Sequence, residues 1–193
     1  QDVTRFRVGD RVFYAGSYKR SGSDAEYQLV DERIVGHAPK NLNDAQAAAM
    51  PLTSLTAWEA LFEKLHISPD ATAENRHHTI LIINGSGGVG SMATQLAHLA
   101  GLQVLATASR PESQKWVQDH GADHVLNHRK PLPPQLKAAG FKDVDYILNL
   151  SHLDEHWSEI ATMIRPDGWV AAITENRHGI NLQKLTKKRA TFA

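Results

Sequence analysis

The chain of 193 residues contains no cysteine, which excludes a disulfide or a thiolate metal site within it. It also lacks an excess of either charge, because 21 Lys and Arg residues balance 21 Asp and Glu residues. This balance argues against nucleic acid or an anionic membrane as the main partner. No apolar run reaches the roughly 18 residues that span a bilayer, and no signal peptide opens the chain. With 41% hydrophobic residues, the composition predicts a packed, cytoplasmic enzyme domain.

An initiator Met is missing as well: the chain opens with Gln1-Asp2-Val3 and stops at Thr191-Phe192-Ala193. Neither end carries the pattern of an element that starts or closes a domain. We therefore interpret the chain as a piece of a longer protein.

The most informative stretch begins with an apolar run, Ile80 to Ile83, whose β-branched residues predict a buried strand. It continues as Gly85-Ser86-Gly87-Gly88-Val89-Gly90, and apolar residues at helical spacing follow. A G-x-G-x-x-G turn between a strand and a helix is typical of dinucleotide-binding domains. We assign the sharp turn to Gly85, the close approach to a pyrophosphate to Gly87 and the packing of helix on strand to Gly90. The free N–H groups and the dipole of the helix start would bind the phosphates.

After the glycine turn the sequence keeps alternating between strand and helix patterns. Further strands are predicted at 103–107, 124–127, 145–150 and 169–173, and helices at 112–120, 135–139 and 154–164. This order indicates an α/β fold, a Rossmann doubly wound parallel sheet with the glycine strand at the switch point where ligands bind. Pro166-Asp167-Gly168 predicts a turn before the last strand. No sixth strand is visible, so we expect the 169–173 strand to form an open sheet edge prone to non-native association.

The N-terminal part follows a different pattern. Arg7–Tyr14 and Ala25–Val30 alternate between apolar and polar residues and predict strands, which are too few to enclose a core. We therefore predict a boundary at residue 43, with residues 1–43 as the remnant of a β-rich domain and residues 44–193 as the Rossmann domain.

Two helices are predicted between this boundary and the glycine strand. Asp44 is the predicted N-cap of the first, over Ala45–Met50, and Pro51 stops or kinks it. Ser54 is the predicted N-cap of the second, whose apolar stripe includes Trp58.

Several of these motifs together resemble a known superfamily. Gly9-Asp10-Arg11-Val12, the segment Ala47–Trp58 and the glycine turn occur in an order and spacing that resemble the medium-chain dehydrogenase/reductase superfamily, on its quinone oxidoreductase side. Asp31–Gly36 and Ala106–Glu112 resemble a subgroup labelled zinc-type, or zinc-binding, alcohol dehydrogenase-like.

The resemblance implies an oxidoreductase with a nicotinamide coenzyme, and a GroES-like catalytic domain of which residues 1–43 are the remnant. It also implies that roughly the first third and the last quarter of the parent enzyme lie outside the chain. Those parts would include most of the substrate domain and the last sheet strand, through which relatives form homodimers.

The residues after the second Rossmann strand bear on the choice of coenzyme. NAD-binding proteins place an Asp or Glu there for the ribose 2′-hydroxyl, whereas NADP-binding proteins need hydroxyl or cationic groups. By the family's pattern the acidic position is Ser109, followed by Arg110. Because Ser109 can donate a hydrogen bond and Arg110 can pair with a 2′-phosphate, we predict NADPH. The alternative is an ordinary polar strand end with a solvated Arg.

His128 either matches a position near the adenosine end where relatives carry Tyr or His, or is a surface histidine.

Further predictions concern the nicotinamide end. Thr56 matches a threonine that lies against the nicotinamide in relatives, where its hydroxyl would fix the ring for hydride transfer; otherwise it bonds its own helix backbone. Asn149, Ser151 and His152 follow the fourth Rossmann strand, and they either contact the nicotinamide ribose or the substrate, or cap the next helix. No residue is a convincing general acid, so the catalytic residue is unassigned, and solvent or a residue outside the chain would donate the proton.

The subgroup's label raises the question of zinc. Zinc-dependent relatives place a cysteine ligand at or next to the position of Leu52, whose side chain cannot bind zinc. The 11 histidines include the adjacent pair His77-His78, which we interpret as solvated, and His152 with His156 at i, i+4 without a third ligand. We therefore predict no metal site in this chain. A solvated face or an unpaired end is predicted for the basic residues Lys184, Lys187, Lys188 and Arg189.

These inferences converge on an NADPH-dependent oxidoreductase that passes a hydride to a quinone or an α,β-unsaturated carbonyl without zinc. The predicted partners are a small-molecule substrate and, in the full-length protein, a second copy of the chain. Two alternatives stay open: a zinc-dependent alcohol dehydrogenase whose ligands lie outside the chain, and a non-catalytic NADPH-binding module. The chain alone should lack turnover, because much of the substrate domain is outside it.

Overall fold

The structure is a computed structural model that describes residues 3–174 and 176–193. The chain divides into two compact units, Gln1–Leu55 and Thr56–Ala193. The sequence pattern placed the boundary at residue 43 instead, where strand-like residues give way to helix-forming ones.

The N-terminal unit contains little regular structure. Strand β1 (Val12–Phe13) pairs antiparallel with strand β2 (Gly36–His37), and a 3-10 turn over Glu32–Ile34 precedes β2. The predicted strand at Ala25–Val30 is wrong, since no residue of this segment has strand conformation. An alternating segment becomes a strand only where a neighbouring strand supplies hydrogen bonds.

Helix α1 (Asp44–Ala49) begins with a capping box. The Asn43 side chain accepts a hydrogen bond from the Gln46 N–H, and the Gln46 side chain accepts one from the Asn43 N–H. The N-cap is therefore Asn43 rather than the predicted Asp44, which occupies the first helical position.

Pro51 starts a second helix rather than only ending the first. It is the first residue of α2 (Pro51–Trp58), a position at which the missing N–H of proline costs no helical hydrogen bond. Ser54 consequently lies inside α2 and is not its N-cap. The helix continues as a π-helix over Glu59–Lys64, and the short helix α3 (Thr72–Asn75) precedes the sheet.

The sheet of the C-terminal unit has six strands, and every neighbouring pair is parallel, in the order β5-β4-β3-β6-β7-β8. The strands are β3 (Thr79–Ile83), β4 (Gln103–Thr107), β5 (His124–Leu126), β6 (Val144–Asn149), β7 (Ile164–Ala172) and β8 (Thr191–Phe192). Strand order runs outward from β3 on one side and from β6 on the other. The predicted Rossmann doubly wound parallel sheet is confirmed.

Helices cover both faces of this sheet. They are α4 (Gly88–Leu99), α5 (Pro111–Asp119), α6 (Leu132–Ala138), α7 (Leu153–Met163) and α8 (Gln183–Thr186). Ile80 and Ile82 of β3 pack into one buried cluster with α4, whereas Leu81 and Ile83 pack into another with α6 and α7. Within the described residues, no helix combines the length and apolarity that a membrane span requires.

The region around β7 differs from the prediction. Helix α7 ends at Met163 and β7 begins directly at Ile164, so the predicted turn at Pro166–Gly168 is a bulge within the strand, where Asp167 has a left-handed φ of 57°. Pairing with β6 continues on both sides of this segment, with a shift of register between Val144 and Tyr146.

The predicted open edge at 169–173 is also wrong, because β8 is a sixth strand. Thr191 pairs with Trp169 and Phe192 pairs with Val170. Two residues are too few to show the alternation from which a strand is predicted.

The basic segment before β8 is partly bound to the fold: Lys184, Lys187 and Arg189 are exposed, as a solvated face predicts, whereas Lys188 is half-buried. The Lys188 ammonium donates to the carbonyls of Thr162 and Ile164 at the end of α7. Arg189 forms a two-pronged ion pair with Asp167, at 2.9 and 2.7 Å. These contacts fix the segment that connects α8 to β8.

Candidate functional site

The switch point of the sheet lies at the carboxyl ends of β3 and β6. Helix α4 leads from β3 to β4 on one side, and α7 leads from β6 to β7 on the other, so a crevice opens at this edge. Most of the residues predicted for the site follow the carboxyl ends of β3, β4, β5 and β6, and they are the glycine turn, Ser109, Arg110, His128, Asn149 and Ser151.

The sharp turn after β3 is made by Asn84, which has a left-handed φ of 67°. Gly85 lies in the same turn but has no positive φ, so the left-handed residue of the turn is Asn84 rather than Gly85. Asn tolerates the left-handed conformation because its short polar side chain can bond locally. The G-x-G-x-x-G pattern begins at Gly85 and therefore did not predict a role for Asn84.

The glycines of the turn serve close packing. A Cβ on Gly90 would lie 2.3 Å from the Asn84 carbonyl oxygen and 2.7 Å from the Gly85 backbone, so only glycine lets α4 approach the turn. A Cβ on Gly85 would lie 2.8 Å from the Cβ of Ala106 on β4, and one on Gly87 would lie 3.2 Å from the Asn84 Nδ2. The packing role predicted for Gly90 agrees with these distances.

Helix α4 starts directly behind this turn. Its N-cap is Gly87, and no described side chain caps the helix. The first N–H groups of a helix have no acceptor within it, and the helix dipole is positive at this end. The turn and α4 together therefore offer the arrangement that binds a phosphate.

Thr107, the last residue of β4, fixes the backbone of the turn. Its carbonyl accepts from the Gly85 N–H at 3.0 Å, and its Oγ1 accepts from the Asn84 N–H at 2.8 Å. The same Oγ1 lies 3.0 Å from the Nδ1 of His128, which follows β5. Neither Asn84 nor Thr107 was among the predicted site residues; the only signal for Thr107 was a polar residue at the end of an apolar strand.

The loop that carries His128 is held by one side chain of α6. Gln135 Oε1 accepts from the Asn127 N–H at 2.8 Å, and Gln135 Nε2 donates to the Asn127 carbonyl at 3.0 Å. Its Nε2 also donates to the Pro131 carbonyl at 2.8 Å. His128 is therefore a half-buried side chain on a braced loop rather than the surface histidine of the alternative prediction.

The surroundings of His128 favour its neutral form. Burial lowers the pKa of this imidazole below its usual value of 6.5, and the nearby His156, Arg129 and His152 lower the pKa further. His156 itself lies 3.4 Å from Glu159, whose other oxygen accepts from the Leu132 N–H.

This pKa shift makes folding stability depend on pH. Between the native pKa of His128 and 6.5 this imidazole binds more protons in the unfolded chain than in the native one, so its contribution to stability is complete above about pH 6.5 and is lost as the pH falls below it. We expect His128→Asn to make the free energy of unfolding, measured by urea denaturation, fall less between pH 7 and pH 5 than in the wild type. Equal pH dependence in the two proteins would contradict the shift.

Ser109 and Arg110 follow β4 where a carboxylate would hold a ribose 2′-hydroxyl. Ser109 is half-buried and Arg110 is exposed at the N-cap position of α5. The Arg110 Nε lies 3.1 Å from Glu112, and its Nη2 lies 3.4 Å from the Ser113 hydroxyl. Because the Arg110–Glu112 ion pair is on the surface, it is weak, and the guanidinium can turn to a stronger anion.

The amide of Asn149 is fully buried at the carboxyl end of β6. Neither Oδ1 nor Nδ2 has a hydrogen-bond partner among the residues that the structure describes. An unpaired buried amide costs about 1–3 kcal/mol, so its position at the switch point makes it a candidate ligand-binding group.

Ser151 and His152 begin the segment from β6 to α7. His152 is the N-cap of α7 with a left-handed φ of 48°, and its side chain makes no capping hydrogen bond. Its Nδ1 lies 3.6 Å from Glu155. Ser151 is half-buried beside it. The geometry thus gives no support to His152 as a side-chain cap.

Thr56 lies in the wall of a cavity of about 200 Å³ at the same sheet edge. Opposite walls come from Ala171 to Ile173, at the end of β7, and from Ala60 and Lys64 of the π-helix. Thr56 is therefore brought to the carboxyl edge, as a contact with a nicotinamide would require. A cavity of about 530 Å³ between the ends of α4 and α5 contains none of the predicted residues.

No group of three or more His, Cys, Asp or Glu side chains is arranged to hold a metal ion within residues 3–174 and 176–193. Leu52, which the sequence places at or next to the position expected for a zinc ligand, is an exposed residue of α2.

Comparison with known proteins agrees with this architecture. A family model for zinc-binding dehydrogenases matches residues 88–193. A zinc-type alcohol dehydrogenase-like protein of Staphylococcus epidermidis is 45% identical over 190 residues, which are 98% of this chain and 56% of that protein. The solved structure of a zinc-dependent alcohol dehydrogenase candidate from Rhizobium etli is 46% identical with a TM-score of 0.89, covering 99% of this chain and 55% of that one. The quinone oxidoreductase of Thermus thermophilus, also solved in complex with NADPH, is 26% identical with a TM-score of 0.69, covering 84% and 50%.

The six-stranded sheet with a glycine turn at its switch point defines a Rossmann-like domain. The chain belongs to the zinc-binding dehydrogenase family of the medium-chain dehydrogenase/reductase superfamily. It spans about half the length of the curated relatives it matches.

Proposed function

We propose that this chain binds NADPH at the carboxyl edge of its sheet, and that the whole protein is an oxidoreductase that reduces a quinone or an α,β-unsaturated carbonyl without catalytic zinc. The observation that carries the proposal is the end of β4. Ser109 and Arg110 stand there in place of a carboxylate, beside a phosphate-binding turn that Thr107 holds in place.

The residues at this edge suit the successive parts of the coenzyme. The Gly85–Gly90 turn and the start of α4 would hold the pyrophosphate, because the first N–H groups of α4 have no side-chain cap among the described residues. Ser109 and Arg110 would hold the 2′-phosphate, as hydroxyl and guanidinium groups do elsewhere.

The unpaired amide of Asn149 and the cavity wall at Thr56 suit the nicotinamide half of the coenzyme. When bound, the reduced nicotinamide supplies the hydride. The contribution of this chain is to orient the ring and to exclude water from it. None of its described residues is assigned as general acid, so the proton would come from solvent or from the substrate domain.

Two features of the chain support a reaction without zinc. Leu52 lies at or next to the position expected for a cysteine ligand of zinc-dependent relatives, and a chain without cysteine cannot form their structural zinc lobe. The family description and the names of relatives include zinc, so ligands outside the chain are the competing hypothesis. The resemblance also supports a homodimer of the full-length protein, which light scattering would test.

Calorimetric titration of the chain with NADPH and, separately, with NADH tests the coenzyme proposal. We expect saturable binding of NADPH at a 1:1 ratio and at least tenfold weaker binding of NADH. Equal or tighter binding of NADH would overturn the assignment of Ser109 and Arg110.

The full-length protein tests the reaction. We expect NADPH oxidation with quinones or enones and no stoichiometric zinc in elemental analysis. Stoichiometric zinc with alcohol oxidation would support the zinc-dependent hypothesis, and NADPH binding without turnover on a broad panel would support a binding module.

A further inference from the structure

The phosphate-binding turn, Asn84 to Gly90, follows β3, but the hydrogen bonds that fix its first two residues come from the neighbouring strand β4. The N–H groups of Asn84 and Gly85, where the chain turns out of β3, both donate to Thr107, one to its hydroxyl oxygen and one to its carbonyl. The conformation of the left-handed Asn84 is therefore coupled to the position of the Thr107 hydroxyl oxygen.

One group faces that hydroxyl from the next strand. His128 Nδ1 lies 3.0 Å from Thr107 Oγ1, and Thr107 is fully buried. Because Oγ1 already accepts from the Asn84 N–H, its proton is free to point at His128. A neutral imidazole that accepts at Nδ1 carries its own proton on Nε2.

The position of His128 is itself constrained. The hydrogen bonds of Gln135 to Asn127 and Pro131 hold the loop on both sides of the imidazole. A ring on a braced loop can orient a hydroxyl, whereas a ring on a mobile loop would lose the interaction to rotamer entropy.

We propose that His128 is a positioning residue for the coenzyme pyrophosphate, acting through Thr107 to hold Asn84 and Gly85 in the geometry that binds phosphate. This inference rests on the proposed function. It differs from both sequence predictions for His128, which were a position near the adenosine end of the coenzyme and a surface histidine.

The two ring nitrogens separate these roles. His128→Asn places an amide close to where Nδ1 lies, within reach of Thr107, but leaves nothing at the position of Nε2. His128→Gln extends its amide toward the position of Nε2 and leaves nothing at Nδ1. A positioning role therefore tolerates Asn and not Gln, and a direct contact through Nε2 tolerates Gln and not Asn.

NADPH affinity of the chain, measured by calorimetry at pH 8, is the first readout. We expect His128→Gln to bind NADPH roughly three- to tenfold more weakly than the wild type, the value of one hydrogen bond, and His128→Asn to bind within twofold. Thr107→Val, which also removes the acceptor of the Asn84 N–H, should bind at least as weakly as His128→Gln, and Thr107→Ser should resemble the wild type. Thermal unfolding of each variant establishes that it is folded.

Amide hydrogen exchange of Asn84 in the free protein is the second readout. It should be faster in His128→Gln and Thr107→Val than in the wild type, and unchanged in His128→Asn. Tight binding by His128→Gln with weak binding by His128→Asn would overturn the proposal in favour of a direct contact. Unchanged Asn84 exchange in His128→Gln would overturn it as well. A wild-type chain that binds no NADPH would refute the proposed function, while the exchange measurement would still decide whether His128 positions the turn.

Discussion

Replacing Gly90 with Ala is expected to abolish NADPH binding and to destabilise the fold by about 3 kcal/mol, which is large for the addition of one methyl group. The added Cβ would lie 2.3 Å from the Asn84 carbonyl oxygen and 2.7 Å from the Gly85 backbone. Both neighbours are backbone atoms, so relief requires that α4 move away from the turn. Calorimetry with NADPH and urea denaturation measure the two effects.

Gly179 provides the matched control. It belongs to the same unit, and a Cβ there would have no atom of the described residues within 4 Å, without a left-handed φ to strain an alanine. Gly179→Ala should change the free energy of unfolding by less than about 0.5 kcal/mol and leave NADPH affinity unchanged. If Gly90→Ala kept the stability and the NADPH affinity of the wild type, α4 would not pack as closely against the turn as the structure indicates.

The second large effect is expected from Ser109→Asp. A carboxylate at this position would repel a 2′-phosphate and remove a hydroxyl donor, whereas it can accept from a ribose 2′-hydroxyl. We expect NADPH to bind about 100-fold more weakly, in line with roughly 1.5–3 kcal/mol for a hydrogen bond to a charged group, and NADH to bind more tightly. Competitive titration of the two coenzymes measures the change in preference.

Glu112→Gln is the companion variant. It removes the carboxylate 3.1 Å from the Arg110 Nε without changing the size of the side chain. If Arg110 binds the 2′-phosphate, freeing it from Glu112 should maintain or raise NADPH affinity and leave NADH affinity unchanged. A loss of NADPH affinity in Glu112→Gln, or none in Ser109→Asp, would place the 2′-phosphate elsewhere.

The sheet could be predicted because its central strands are unambiguous in sequence. Ile80 to Ile83 is a continuous apolar run between polar segments, and both of its faces are buried under helices. The two-residue β8 and the π-helix at Glu59–Lys64 could not be predicted in this way. A strand that short has no period, and a π-helix uses the same residue types as an α-helix.

Only those parts of the candidate site that belong to the glycine motif or to the ends of predicted strands could be predicted from the sequence. The glycine pattern located the turn, and the rule for parallel sheets located Asn149 and Ser151 at the same edge. Asn84 and Thr107 were missed, because their roles depend on the hydrogen bond that joins them. The two residues are 23 positions apart in sequence and follow or end neighbouring strands. Such a contact becomes visible only when the register of β3 and β4 is known.

The side chain of Gln135 has a consequence for solubility. β5 is an outer strand of the sheet, and beyond it the outward N–H and C=O of Asn127 are both occupied by the Gln135 amide. A side chain thus takes the place that a strand from another molecule would need in order to extend the pairing past Leu126. We expect this amide to make the end of the β5 edge a poorer template for a strand from another molecule, at the same loop that carries His128.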